Sequence, residues 1–173
     1  VILDEGRDKV TISLTGPADA WFGVGFGAQA MKERPWTIVV DGNGKVTERK
    51  LADHASGDPL APSLEVSSNE VVGDRRTVTV YRSLKGAHFT FHANVTEIPF
   101  INAIGNTPEI AYHTQKEPST LLMMPVSSPS DKHGLCLCQR EPPPFGKGKG
   151  TLEYVPVQGQ KGEAGVSGKA PWG

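Results

Sequence analysis

No apolar run among the 173 residues reaches the roughly 20 needed to cross a bilayer as a helix. The opening residues Val1-Ile2-Leu3-Asp4-Glu5-Gly6 also lack the basic-then-apolar order of a secretory leader. A soluble chain without a membrane span is expected, already processed or cut from something larger. Charge of one sign is missing too: 18 Lys and Arg stand against 19 Asp and Glu, and a formal charge of -1 gives no field to gather a polyanion. Nucleic acid is therefore not an expected partner. There is no Gly-x-Ser-x-Gly, no phosphate-cradling glycine loop and no convincing acid/base pair of carboxylates, so hydrolytic catalysis has little support, and an electron-transfer or binding domain is expected rather than a catalytic one. No segment carries a helical stripe over three turns.

Cysteine is almost absent. Cys136 and Cys138 flank one leucine, and neighbours that close form a strained ring if bonded to each other. Two thiolates alone are half of a structural metal site. Free thiols, or partners outside this chain, both remain open. The pair also lacks the Cys-x-x-Cys-His spacing that attaches a haem covalently.

What is present is period-two alternation. Val10, Ile12 and Leu14 share one side of Lys9 to Thr15, and Phe22, Val24 and Phe26 share one side of Trp21 to Gly27. Thr37-Ile38-Val39-Val40 is a continuous apolar run, and Asp41-Gly42-Asn43-Gly44 turns it back into Lys45 to Leu51 as a hairpin. Further strands are expected at Leu64 to Val72, Arg76 to Tyr81, His88 to Phe91, Phe100 to Ile104, Ile110 to His113 and Thr120 to Pro125. Many short strands without helices predict an all-β, antiparallel immunoglobulin-like sandwich over residues 1–126. Residues 127–173 turn to Ser, Pro, Gly and Lys, with Pro142-Pro143-Pro144, and read as an extended tail or linker. Gly159, Gly162, Gly165 and Gly168 fall every third residue there, too few and too poor in proline for a collagen helix.

Two segments carry candidate chemistry. Trp21-Phe22-Gly23-Val24-Gly25-Phe26-Gly27 is a strand with glycines on one face that leads to Met31, and repeated glycine in a strand marks a bulky object close to the backbone. Phe100 to Ile104, a Gly-Asn-Thr-Pro turn and a short strand then deliver His113. Read singly, Met31 is a core filler and His113 a surface polar residue.

Together, in this order, the glycine-rich strand, the methionine beyond it and the Ala-Ile-Gly…His segment resemble the DOMON family. Its haem b cytochrome type is similar to the cytochrome domain of cellobiose dehydrogenase, and the resemblance spans about Val1 to Val126. It implies an extracytoplasmic sandwich holding one non-covalent haem b between Met31 and His113 and passing electrons to another redox domain or protein. Six-coordinate iron with a thioether and an imidazole has no open site, and methionine ligation raises its potential. Phe22, Phe26, Trp36, Phe100, Ile104 and Met123 are the candidate pocket lining; Lys32, Arg34, Arg82 and Tyr112 are the candidate partners of the propionates. Asn94-Val95-Thr96 is a glycosylation acceptor, meaningful in a secreted chain. The alternative function is a haem-free module that binds carbohydrate or a protein partner, or assembles through the C-terminal tail. A third reading places copper or zinc on His88 and His92, four apart on one face of a strand, with His54 as a further ligand.

Overall fold

In the computed structural model, the backbone is described for residues 1–125 and 134–139, and side chains up to residue 122. The described chain is all-β and antiparallel. Its strands are β1 (Ile2–Asp4), β2 (Lys9–Pro17), β3 (Phe22–Phe26), β4 (Trp36–Val40), β5 (Val46–Ala52), β6 (Ala55–Pro59), β7 (Glu65–Val72), β8 (Arg75–Arg82), β9 (Glu97–Ile104), β10 (Gln115–Pro125) and β11 (Gly134–Gln139). They are hydrogen-bonded in the order β6-β5-β4-β3-β9-β10-β11-β1-β2-β8-β7.

This ladder folds over on itself as a sandwich, with apolar alternation supplying the inner faces of both layers. Val10, Ile12 and Leu14 of β2 and Val78 and Val80 of β8 face Phe22 and Phe26 of β3, Trp36, Ile38 and Val40 of β4, and Ile98 and Phe100 of β9 in one buried cluster. The layers touch closely at Gly16, where a Cβ atom would stand 2.3 Å from the Phe22 ring across the core. Away from the core, the Ser13 and Thr79 hydroxyls pair at 3.2 Å and those of Thr15 and Thr77 at 3.0 Å, on directly opposed residues of β2 and β8.

The core is not wholly apolar. Glu48 of β5 and Arg82 of β8 are both buried, on the inward faces of opposite layers. Trp36 stands between them: its Nε1 donates to Glu48 Oε1 at 2.9 Å, and the Arg82 guanidinium lies 4.5 Å from its ring centre. Glu48 also accepts from the Ser63 backbone N–H, from Ser63 Oγ at 2.7 Å and from the Leu64 N–H at 3.1 Å. Arg82 donates to the carbonyls of Ser83 at 3.1 Å, Leu84 at 3.4 Å and Phe89. Burial lowers the pKa of Arg82, and the Glu48 carboxylate partly restores it.

Three strands were not expected. β1 and β6 are short, and β11 lies within the span read as tail, pairing with both β10 and β1. Two expected strands are absent. His88 to Phe91 lies in an irregular stretch between β8 and β9, and Ile110 to His113 in the β9–β10 connection. The remainder of the expected tail, with its proline run and spaced glycines, is outside the described residues.

Candidate functional site at the open end of the sandwich

The two ends of the sandwich differ. At one end, β3 finishes at Phe26 opposite Trp36 and Phe100, and β8 finishes at Arg82 opposite Val10. Here the chain between β8 and β9 plugs the interior. Its Phe91 is fully buried, with the Phe91 N–H bonded to the Leu84 carbonyl at 2.9 Å. The rings of Phe26, Trp36, Phe89 and Phe91 pack at centroid distances of 4.9 to 6.3 Å, with Arg82 over Trp36 and Phe91. This end is filled by protein.

Met31 belongs to that closed end. It opens the 3₁₀ turn Met31–Glu33 beyond β3, is half-buried, and accepts the Arg34 N–H at 2.9 Å. His113 belongs to the other end. The next residue, Thr114, donates its N–H to the Ile104 carbonyl at 2.8 Å, and Ile104 is the β9 partner of Phe22 at the start of β3. The length of β3, four residue steps or about 13 Å, therefore separates the two levels. Axial ligands on opposite faces of one iron, with bonds of roughly 2.0–2.3 Å, put the donor atoms about 4–5 Å apart, and both side chains add to the span between the backbones. Met31 and His113 thus lie toward opposite ends of β3, and the packed rings of Phe22, Phe26, Phe100 and Trp36 occupy the interior between these levels.

The other sequence-derived positions scatter in the same way. Phe22, Phe26, Trp36 and Phe100 are buried core, and Ile104 packs against it. Met123 pairs with Leu137 in the β10–β11 ladder. Lys32 is exposed, and Arg34 meets Asp58 at 3.8 Å on the surface. Gly23 and Gly25 make room for the protein itself: a Cβ at Gly25 would meet Thr37 Oγ1 at 2.7 Å, and one at Gly23 the Ile38 carbonyl at 3.0 Å. His88 and His92 are exposed and share no strand, so the same-face argument for a metal fails; His54 is paired with Asp53 at 2.7 Å. Among the described residues no group of three or more His, Cys, Asp or Glu is placed to hold a metal ion.

The open end is built from four loops, those after β2, β4, β7 and β9. Arg76 ties the loops after β2 and β4 to strand β7, donating to the carbonyls of Ala18 and Gly42 at 3.1 Å each and to Asn69 Oδ1 at 2.8 Å. The Gly42 N–H bonds the Pro108 carbonyl at 2.8 Å, and the Gly105 N–H bonds the Trp21 carbonyl at 2.9 Å. Between the loops after β2, β7 and β9 and the start of β10 lies a cleft of about 1110 Å³. Asp19, Asp74 and Glu117 bring three carboxylates to its wall and Arg75 and Lys116 two cations, so opposite charges nearly balance. His113 lines it beside Tyr112, ring centres 4.7 Å apart, and Tyr112 is 84% exposed. On β9, Ile98, Phe100, Asn102 and Ile104 follow one another on the inward face, so Asn102 is a polar group among core positions; its Oδ1 is buried without a partner, and the residue lines the cleft. Sequence reasoning singled out His113 and Tyr112 for another role and missed Asn102, whose signal is a polar residue in an otherwise apolar alternation.

Compared with protein-family models, with curated proteins and with solved structures, the chain has no significant match. The fold and the cleft define an all-β sandwich with one plugged end and one loop-built, ligand-sized opening.

Proposed function

We propose that this chain is a haem-free binding module of the DOMON-like sandwich type, taking its ligand or partner at the open end. The observation that carries the reading is the placement of Met31 and His113 toward opposite ends of β3, with packed rings between, while a large cleft lies at the His113 end. Loops on a rigid sheet scaffold are where binding residues concentrate, and a cleft of this size accommodates a small ligand. An extracytoplasmic setting belongs to the same proposal. Asn94 stands exposed in a turn, where a glycan meets no obstacle.

A hemin titration of the purified full chain tests it. A broad absorption typical of loosely associated haem is expected, unchanged in Met31→Ala and His113→Ala. A sharp Soret band with narrow bands on reduction, lost in either variant, would overturn the proposal in favour of a haem b electron-transfer domain.

A further inference from the structure

The two ends of the ladder are unlike. β6 is short and carries Gly57 with a positive φ, Asp58 and Pro59, features that blunt an edge against further pairing. β7 is 8 residues long, holds neither proline nor lysine, and among the described residues has a neighbouring strand on one side alone, β8. Its other side offers a row of backbone N–H and C=O groups to an extended strand. Val66, Val71 and Val72 lie along it, each half exposed or more.

The order Glu65-Val66-Ser67-Ser68-Asn69-Glu70-Val71-Val72 says which strand fits. Set antiparallel against itself about a two-fold axis between Ser68 and Asn69, it opposes Val66 to the partner's Val71, Glu65 to the partner's Val72, Ser67 to the partner's Glu70 and Ser68 to the partner's Asn69. The whole strand is then paired, and no carboxylate faces another. Sliding by two residues one way sets Glu65 against the partner's Glu70, and the other way leaves Val71 against the partner's Ser68. Val66 and Val71 are five apart, which in a regular strand puts them on opposite faces. The irregularity between Val66 and Ser68 corrects this: the two valines pair with Val80 and Arg76, four apart on β8 and hence on one face. That face adjoins a mainly apolar groove of about 210 Å³, whose lining includes Val46, Leu60, Pro62, Leu64 and Val66 itself. The partner's Val71, set opposite Val66, has this groove to enter. We infer that two copies of this chain associate edge to edge through β7, with Val66 of each against Val71 of the other. The same patch serves on both copies, so the contact closes at a dimer.

Sedimentation equilibrium of the full chain, from about 10 μM to about 1 mM, reaches even millimolar self-association. The mass is expected to rise with concentration toward that of a dimer. Val71→Lys, at an exposed position, is expected to weaken association about tenfold or more while the unfolding midpoint of the dilute monomer changes little. Register is read by disulfide trapping in a Cys136→Ser, Cys138→Ser background. An equimolar mixture of Val66→Cys and Val71→Cys chains is expected to cross-link, and either chain alone is not, because like positions lie about 17 Å apart along the paired strands, beyond the reach of a disulfide. A chain that stays monomeric throughout, whether its edge is free or taken by a segment of the same chain, overturns the inference. So does a dimer that Val71→Lys leaves intact, or cross-linking that is equally efficient in either variant alone.

Discussion

Glu48 and Arg82 show how single residues decide what the interior can hold. A buried carboxylate and a buried guanidinium are each costly in isolation, but here every charged group has hydrogen-bond partners, and Trp36 lies between them. Replacing Arg82 with Met leaves the Phe89 and Ser83 carbonyls without their donor and Glu48 without a counter-charge. A loss of about 3–5 kcal/mol in urea unfolding is expected; a change under 1 kcal/mol would mean that the network contributes little. At Gly105 the constraint is steric, since a Cβ there would lie 2.0 Å from Trp21 Nε1. Gly105→Ala is expected to displace the indole and destabilise by about 1–3 kcal/mol, visible as a shift in tryptophan fluorescence together with a lowered denaturation midpoint.

At the scale of elements, the strands with alternating or continuous apolar residues were legible, β7 was expected over Leu64 to Val72 although it buries little, and β1, β6 and β11 were missed. β2, β3, β4 and β8 follow directly from Val10-Ile12-Leu14, Phe22-Val24-Phe26, the Thr37 to Val40 run and Val78-Val80, because burial of one face fixes both register and side. His88 to Phe91 misled: its aromatics alternate as in a strand, but Phe89 and Phe91 meet edge to face at 4.9 Å in an irregular plug over the core. β11 was hidden by its setting in a glycine- and proline-rich span. The site was legible only in pieces. His113 and Tyr112 were found, but the distance of Met31 from them depends on strand register, which chain order does not reveal. The plug carries its own expectation: Phe91→Ala should cost about 3–5 kcal/mol, measured by chemical denaturation, whereas a change near zero would show the ring to be dispensable.

For the whole molecule, the ladder leaves β6 and β7 as its two ends, while β3 and β9 lie well inside it. Backbone amides of β3 and β9 are therefore expected to exchange slowest with solvent and those of β6 fastest, as hydrogen-exchange NMR would record. The same architecture separates a plugged end from an open one, and that division carries the functional reading. The most direct measurement is the proton NMR spectrum of the full chain loaded with haem and reduced. The Met31 methyl resonance is expected at its ordinary position. A strongly upfield-shifted three-proton resonance, lost in Met31→Ala, would mark a methionine on the iron and contradict the account.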